Sequence, residues 1–342
     1  MTGPIKIAVV GCGHIGKRHA EMVHRHAETK LVALCDIRSR EEAGVAGFDV
    51  PFFQDMRTLL EQVPGIDVVN ICTPNGLHAE QSIMALEHRK HVVCEKPLAL
   101  SKASCEAVIY KALQMHRTVF AVMQNRYSPP SQWIKGVVEQ GLLGDIHLVQ
   151  VNCYWNRDER YYKAGSWKGS NALDGGTLFT QFSHFIDILY WLFGDITDIQ
   201  GKFADFNHKG LTEFEDSGMV TFRFMDGGGM GCLNYSTAVW DKNLESSMTI
   251  IGSKGSVKIG GQYMDQVEYC HINGYTMPQL APTNPANDYG AYKGSANNHG
   301  YIIDNVVDTL RGHSTLTTNA LEGLKVVEII ERIYEKRNEQ LV

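Results

Sequence analysis

Short apolar runs alternate with amphipathic stretches through the first 122 residues of the chain. The runs predict strands, and the stretches between them, with apolar residues at helical spacing, predict helices. Strands that are apolar throughout and separated by helices form a parallel sheet with both faces covered, so residues 1–122 are predicted to form a doubly wound α/β domain. The predicted strands are Ile5–Val10, Leu31–Cys35, Val68–Ile71, His91–Cys94 and Val119–Val122, and the predicted helices are Ile15–His26, Leu77–Glu87 and Lys102–Met115.

Beyond residue 122 apolar and polar residues alternate at period two, and glycine-rich turns separate several of the runs. This pattern predicts a sheet with one covered face and mostly antiparallel connections. Residues 123–342 are therefore predicted to be a second α/β domain with a large open sheet, and residues 273–298 a long loop. The predicted strands are Ile146–Tyr154, Ile196–Phe206, Gly218–Phe224, Gly229–Ser236, Met248–Ile251, Val257–Ile259 and Gln266–Ile272, and the closing helices are Tyr301–Leu310 and Ala320–Glu335.

Composition and charge narrow the classes of function. The 342 residues include 32 Lys and Arg against 38 Asp and Glu, a net charge of −6, and this balance excludes a general nucleic-acid binder. The chain shows no polybasic run, no apolar stretch near the ~20 residues of a membrane span, and no signal-peptide pattern. Its eight cysteines include no CxxC pair, so neither a disulfide framework nor a metal site is expected. We expect a cytoplasmic protein.

A dinucleotide fingerprint follows the first predicted strand. Residues 11–16 read Gly-Cys-Gly-His-Ile-Gly, and these glycines allow a tight turn, close approach of a pyrophosphate and close packing of helix on strand. Asp36 ends the second strand, where a carboxylate binds a ribose 2′-hydroxyl. Because that carboxylate would repel a 2′-phosphate, NAD is favoured over NADP. Arg38, which could offset the repulsion, leaves NADP as the alternative.

Two further motifs follow strands of the first domain, Thr-Pro-Asn-Gly-Leu-His at 73–78 and Glu-Lys-Pro at 95–97. With the fingerprint, they make the chain resemble the Gfo/Idh/MocA oxidoreductases over essentially its whole length. The resemblance implies an N-terminal Rossmann domain, a C-terminal domain that carries the substrate and packs in a dimer or tetramer, and Lys96 beside the nicotinamide and the reacting hydroxyl. The predicted cofactor contacts are Gly11, Gly13, His14, Ile15, Gly16, Asp36, Ile37, Arg38, Thr73, Pro74, Asn75, His78, Glu95, Lys96, Gln124 and Trp167.

A polar stripe crosses the apolar helix predicted over Thr177–Phe193. Gln181, His184 and Asp187 are spaced i, i+3 and i+6, and polar groups on such a helix need partners. An imidazole titrates near neutral pH, so His184 is a candidate general base, with Asp187 to orient it. A core histidine satisfied by its neighbours is the alternative. In the family that the chain resembles, a similar D-G-G…H-x-x-D segment carries the catalytic histidine.

Cations and aromatic residues interleave between Tyr154 and Ser170, a composition that suits an anionic, ring-bearing ligand. A solvated charged loop is the alternative. Within the family, this segment is similar to the UDP-N-acetylglucosaminuronate 3-dehydrogenases of bacterial surface-polysaccharide synthesis. That group more often has Arg and Thr where this chain has Lys168 and Ser170. The predicted substrate contacts are Lys96, Gln124, Arg126, Arg157, Tyr161, Tyr162, Lys168, Ser170, Gln181, His184 and Asp187.

The resemblance therefore implies oxidation by NAD of the C-3 hydroxyl of a UDP-N-acetyl-hexosaminuronate, with Lys96 and His184 as the catalytic residues. Two alternatives stay open. The first is a dehydrogenase of a free cyclitol or aldose, which would not need the cationic and aromatic segment. The second is a non-catalytic regulator that senses NAD or a sugar, which would be expected to lack the lysine or the histidine.

Overall fold

A computed structural model describes residues 3–288, 290 and 293–339 and divides the chain into two compact units. The first unit contains the chain up to Val122 together with His299–Val327, and the second contains Met123–Asn298 and the chain from Glu328 onward. The division after Val122 coincides with the predicted domain boundary. Residues 299–327, which the sequence analysis assigns to the second domain, pack instead with the first.

Specific contacts hold residues 299–327 in the first unit, and the sequence pattern does not predict these contacts. The Thr318 hydroxyl donates a hydrogen bond to the Ala121 carbonyl, and Gly323 packs against Leu98 and Ala121. A helix over His299–Arg311 also buries its apolar face, which includes Ile303. Apolar spacing predicts that such a face is covered, but it does not identify which distant segment covers it.

The first unit is a parallel six-stranded sheet in the order β3-β2-β1-β4-β5-β6, with helices between successive strands, and it confirms the predicted Rossmann fold. Its strands are almost wholly buried apart from the edge strand β3. The strands are β1 (Ile5–Val10), β2 (Thr29–Cys35), β3 (Phe52–Phe53), β4 (Val68–Ile71), β5 (His91–Cys94) and β6 (Val119–Ala121). The helices are α1 (His14–Arg25), α2 (Arg40–Ala43), α3 (Met56–Gln62), α4 (His78–Glu87) and α5 (Lys102–Met115).

Three short elements of this unit, β3, α2 and α3, were not predicted. β3 has two residues and α2 has four, too few to establish a period. The α2 start nevertheless has a readable signal, because Ser39 and Glu42 form a reciprocal capping box. Asp55 caps α3 by accepting a hydrogen bond from the backbone N–H of Thr58.

The second unit contains a seven-stranded sheet in the order β13-β12-β11-β7-β10-β9-β8, confirming the large, mostly antiparallel sheet. β7 and β10 pair in parallel, and the other pairs are antiparallel. The strands are β7 (Ile146–Tyr154), β8 (Ile196–Ala204), β9 (Ser217–Phe224), β10 (Met230–Ser236), β11 (Glu245–Gly252), β12 (Gly255–Gly260) and β13 (Gln266–Ile272). The helices of the second unit are α6 (Pro129–Glu139) and α7 (Ser183–Phe193). Two further helices close the chain: α8 (His299–Arg311) belongs to the first unit, and α9 (Ala320–Glu339) begins in the first unit and ends in the second.

The predicted loop 273–298 is not wholly irregular. It contains a small antiparallel pair, β14 (Ala286–Asp288) and β15 (Lys293–Ala296). Residues 289, 291 and 292 of this prediction lie outside the described residues. The sequence pattern did not predict the pair because its strands have only three and four residues, Ala-Asn-Asp and Lys-Gly-Ser-Ala, with no β-branched or aromatic residue among them.

The large sheet has two different faces. Its inner face packs aromatic residues against the helix side, with Trp155 against Phe182 and Phe185, and Phe182 also against Tyr235. Its other face carries the alternate residues of each strand, many of them polar or exposed. Within the described ranges, no helix is both long and apolar enough to cross a membrane.

Candidate active site

The loop after β1 has the backbone geometry that a dinucleotide pyrophosphate requires. Gly11 has a φ of +88°, and a Cβ there would lie 2.6 Å from the Cys72 carbonyl oxygen. A Cβ on Gly16 would lie 1.7 Å from the Gly11 carbonyl oxygen, so α1 can pack here only with glycine. Gly13, which precedes α1, has no heavy atom within 4 Å of its would-be Cβ. These residues fit NAD, because its phosphates need such an open approach to a helix N-terminus.

Asp36 offers an ionised carboxylate after β2. It accepts hydrogen bonds from the Cys12 backbone at 2.8 Å and from the Arg38 backbone and guanidinium at 3.0 and 2.9 Å. Burial opposes ionisation, but the bonds from Arg38 and Cys12 outweigh it and hold the pKa of Asp36 below its usual value. Such a carboxylate can accept a hydrogen bond from a ribose hydroxyl and repels a 2′-phosphate. Ile37 is 88% exposed and His14 is also exposed, so both are accessible to a cofactor.

His78 joins the loop after β4 to the loop after β5. Its Nδ1 lies 2.7 Å from the Pro97 carbonyl oxygen, and its Nε2 lies 2.9 Å from that of Thr73. Burial lowers the pKa of His78, although both carbonyl contacts act in the opposite direction. The ring is buried with a carbonyl at each nitrogen, so we assign it a role in holding the two loops rather than the predicted cofactor contact. Asn75 is also buried, in a 3₁₀ turn before α4.

Lys96 follows β5 and is half-buried, with a cis peptide bond to Pro97. Glu95 beside it is buried, and its carboxylate accepts hydrogen bonds from His19 Nε2 at 2.9 Å and from the Lys96 backbone N–H at 3.2 Å. Burial acts to raise the pKa of Glu95, but the hydrogen bonds from His19 and His299 hold it well below its usual value. Glu95 therefore makes its contacts inside the first unit, and Lys96 is the residue of this motif that is suited to bind a ligand.

His19 and His299 were not identified from the sequence. His19 lies on the buried side of α1, where a histidine among apolar residues signals a specific polar partner. That signal could have identified His19. His299 lies more than 200 residues from its partner Glu95 and carries no comparable signal.

The segment predicted as one helix over Thr177–Phe193 has two parts. A π-helical turn, Leu178–Phe182, precedes α7. The Tyr334 hydroxyl accepts a hydrogen bond from the Leu178 backbone N–H at 2.8 Å, and a Cβ on Gly176 would lie 2.5 Å from that hydroxyl. A π turn changes the direction of the side chains before and after it and is frequent at functional sites.

Two polar contacts join α7 to the 3₁₀ turn Gln124–Tyr127. The amide nitrogen of Gln124 lies 3.1 Å from His184 Nε2, and both side chains are buried. The Arg126 guanidinium binds the Asp187 carboxylate in a bidentate pair, with Nε–Oδ2 at 2.9 Å and Nη2–Oδ1 at 2.6 Å. Both members of this pair are fully buried. Arg126 and Asp187, predicted as substrate contacts, therefore bind each other and fix the turn to the helix.

The predicted cationic and aromatic segment forms a connected cluster. The Arg157 side chain donates to the Gln181 side-chain carbonyl at 2.8 Å and to the Asn243 side chain at 3.1 Å, and Gln181 donates in turn to the Tyr161 hydroxyl at 2.8 Å. Arg157 is 2% exposed, so it acts as a buried hub. Lys168 Nζ lies 3.7 Å from the centre of the Tyr161 ring. Burial and the nearby Arg157 lower the pKa of Lys168 to about 8.

The remaining residues of this segment fix its shape. Tyr162 is buried and packs edge-on against the rings of Phe214 and His208. The Ser170 hydroxyl donates to the Trp167 carbonyl at 3.0 Å and accepts from a backbone N–H downstream, so it closes a turn. Tyr162 and Ser170, predicted to touch substrate, thus have structural partners, whereas Trp167 is half-buried.

The Rossmann sheet, the glycine loop and the acidic residue after β2 define an NAD-binding oxidoreductase. The family models agree with this class and also match part of the second unit. Residues 5–123 match the oxidoreductase family with an NAD-binding Rossmann fold, and residues 131–258 match the GFO/IDH/MocA C-terminal domain. The chain belongs to the Gfo/Idh/MocA family of oxidoreductases. It is an oxidoreductase, and its cofactor is NAD.

Several solved structures and curated proteins are similar to this chain. The WlbA dehydrogenase from Bordetella pertussis, in complex with NADH and UDP-GlcNAcA, is 30% identical with a TM-score of 0.87, covering 98% of this chain and 97% of its own. The WlbA dehydrogenase from Chromobacterium violaceum, in complex with the same two ligands, is 31% identical with a TM-score of 0.88, covering 99% and 96%. The myo-inositol 2-dehydrogenase of Thermotoga maritima is 26% identical over 74% of each chain.

Proposed function

We propose that this protein oxidises the C-3 hydroxyl of a UDP-N-acetyl-hexosaminuronate with NAD, giving the 3-keto sugar nucleotide for surface-polysaccharide synthesis. The observation that carries the proposal is the Lys168 ammonium over the Tyr161 ring, backed by the buried Arg157. A cation beside an aromatic ring suits a ligand that is both anionic and ring-bearing. The similarity of nearly the whole chain to two WlbA dehydrogenases in complex with UDP-GlcNAcA supports the same ligand class.

Lys96 and His184 divide the chemistry in this proposal. Bound NAD supplies the hydride acceptor. Lys96 donates a hydrogen bond to the reacting hydroxyl and stabilises the negative charge that develops on its oxygen. His184 Nε2 takes the hydroxyl proton. The Gln124 amide nitrogen can only donate, so its contact at 3.1 Å marks His184 Nε2 as the unprotonated ring nitrogen; the reacting hydroxyl takes the place of this donor when Nε2 receives the proton.

A second candidate function is oxidation of a free cyclitol or aldose, which the similarity to a myo-inositol 2-dehydrogenase favours. Both candidates use Lys96 and His184. They differ at Lys168, because a neutral cyclitol offers no anion for its ammonium group.

A binding experiment tests the role of Lys168. Calorimetry on the NADH-loaded protein compares UDP-N-acetylglucosaminuronate with UDP-N-acetylglucosamine, which lacks the carboxylate. We expect the uronate to bind at least about tenfold more tightly, Lys168→Met to abolish that preference and Lys168→Arg to retain it. Equal binding of the two nucleotides would contradict this assignment, and no nucleotide binding alongside turnover of myo-inositol would establish the second candidate.

We also propose that the open face of the large sheet joins copies of the chain into a dimer or tetramer. By strand register, Met219, Met230, Leu148 and Ile251 lie on this face, and Met219 and Met230 are 66% and 54% exposed. Exposed apolar side chains gathered on one sheet face are typical of an interface. A cytoplasmic location is part of the same proposal, because all eight cysteines are free thiols, six of them buried.

A further inference from the structure

A buried hydrogen-bonded cluster in the first unit adjoins Lys96 and is not used by the chemistry above. His19 of α1, Glu95 and His299 of α8 are 0%, 6% and 1% exposed. The two Nε2 atoms approach the same carboxylate oxygen, Glu95 Oε1, at 2.9 Å from His19 and 3.5 Å from His299. The other carboxylate oxygen accepts the backbone N–H of Lys96. The cluster thus ties two helices to the peptide group on which Lys96 is built.

The partners of the cluster define its protonation. The Asn70 amide nitrogen lies 3.0 Å from His19 Nδ1, so Nδ1 accepts and the Nε2–H donates to Glu95. Burial lowers the pKa of His299, although Glu95 opposes the shift, and the pKa of Glu95 lies well below its usual value. Two neutral imidazoles therefore donate to one ionised carboxylate, and these hydrogen bonds restrict the carboxylate to one orientation.

We propose that His19, Glu95 and His299 are positioning residues that hold Lys96 in place for hydride transfer. They fix the backbone on the N-terminal side of Lys96, while the contact of His78 with the Pro97 carbonyl fixes it on the other side. The inference rests on the proposed role of Lys96 and adds to it the residues that hold Lys96 in position. A catalytic group displaced by about 1 Å can cost about 100-fold in rate, so support of this kind has a kinetic effect.

A metal site is the competing interpretation of the same three side chains. Their ligand atoms lie within 4.8 Å of one another, a spacing that one ion could bridge. The hydrogen bonds favour the positioning role, because a His19 Nε2 that carries a proton cannot ligate a metal. Metal analysis of the purified protein therefore belongs to the test.

The first experiment compares two substitutions of His299 with a matched control. His299→Leu removes the donor, and His299→Gln keeps an N–H of similar reach. His26→Leu is the control, because it breaks another contact between the α1 region and α8, the 3.3 Å pair of His26 with Asp304, without touching Glu95. With saturating NAD and UDP-N-acetylglucosaminuronate, we expect His299→Leu to lower kcat about tenfold or more while the Kd for NADH stays within about twofold of the wild-type value. His299→Gln should recover most of kcat, and the control should match the wild type.

A double-mutant cycle shows whether the effect passes through Lys96. If the cluster acts by positioning Lys96, His299→Leu adds nothing to the loss already caused by Lys96→Ala. Losses in kcat that multiply in the double variant would overturn the inference, as would an unchanged kcat in His299→Leu. Wild-type turnover by Lys96→Ala would instead overturn the proposed role of Lys96 itself.

Two further measurements keep the test decisive. Should His299→Leu fail to fold, Glu95→Gln, which keeps the side-chain shape and removes the charge, takes its place with the same expected loss of kcat and the same cycle. One equivalent of a transition metal per chain that disappears in the His299 variants would establish the metal interpretation and overturn the positioning one.

Discussion

Lys168 connects the electrostatics of the second unit to a measurable pH dependence. Its pKa lies at about 8, below that of an ordinary lysine, so its ammonium form is present below pH 8 and is lost as the pH rises through that value. If the ammonium binds the substrate anion, kcat/KM for the nucleotide uronate should fall at least about tenfold as the pH rises through 8, to the level of Lys168→Met. In Lys168→Arg that alkaline limb should disappear, because a guanidinium stays charged. A limb that persists unchanged in this variant would assign the titration to another group.

We expect Asp36 to carry the discrimination between NAD and NADP. Replacing it by Ser removes the charge that repels a 2′-phosphate and releases the Arg38 guanidinium, now held by the carboxylate at 2.9 Å. We expect Asp36→Ser to lower the ratio of kcat/KM for NAD over NADP by about 10- to 100-fold, the equivalent of about 1–3 kcal/mol. Steady-state kinetics with both cofactors measure this ratio. Glu42→Gln on the nearby helix α2 is the control, and a ratio unchanged in Asp36→Ser would remove the residue from cofactor selection.

At the scale of elements, Tyr334 secures the start of the helix that carries His184. Its hydroxyl accepts the Leu178 backbone N–H at 2.8 Å, and Tyr334 is 6% exposed. Tyr334→Phe leaves that buried N–H without its partner, so the free energy of unfolding should fall by about 1–3 kcal/mol. Urea unfolding measures the change. Tyr269→Phe, at a 54% exposed position on β13, should change it by less than about 0.5 kcal/mol; equal effects of the two substitutions would contradict this account.

The elements themselves could largely be predicted, because periodicity is a local property. The runs Ile5–Val10, Val68–Ile71 and His91–Cys94 coincide with β1, β4 and β5. Two features could not be predicted from periodicity. The π turn Leu178–Phe182 keeps the apolar content of a helix and changes only the hydrogen-bond spacing. The Arg126–Asp187 pair also depends on tertiary structure, because the two residues lie 61 positions apart. The family resemblance predicted Arg126, and the polar stripe with His184 predicted Asp187, as ligand contacts rather than as partners of each other.

For the whole molecule, the order of units along the chain was harder to predict than their folds. Composition and pattern place the boundary after Val122, but nothing local to residues 299–327 records that they return to the first unit. The candidate site shows the same difference between what local sequence predicts and what only the folded chain reveals. Lys96 and His184 could be identified from motifs, whereas the partners of Glu95 required the folded chain.

The open sheet face makes a prediction about assembly. Met219 lies on this face, and if copies of the chain pack on it a charge there would be buried between them, so Met219→Glu should break the proposed dimer or tetramer into smaller species. Size-exclusion chromatography with light scattering measures the mass. Met225→Glu is the matched control, because Met225 is similarly exposed, at 61%, but lies just beyond the end of β9. A monomeric wild type, or an oligomer that survives Met219→Glu, would contradict an interface on this face.

The most direct test of the proposed function is the formation of NADH by the purified protein with NAD and UDP-N-acetylglucosaminuronate, with myo-inositol and glucose in parallel. Because the keto product can be disfavoured at equilibrium, a second set of reactions contains a ketone trap and a 2-oxo acid. We predict turnover with the nucleotide uronate, no comparable turnover with the free sugars, and loss of turnover in Lys96→Ala and His184→Asn. Turnover of the free sugars alone would contradict the nucleotide-uronate assignment and establish a cyclitol or aldose dehydrogenase.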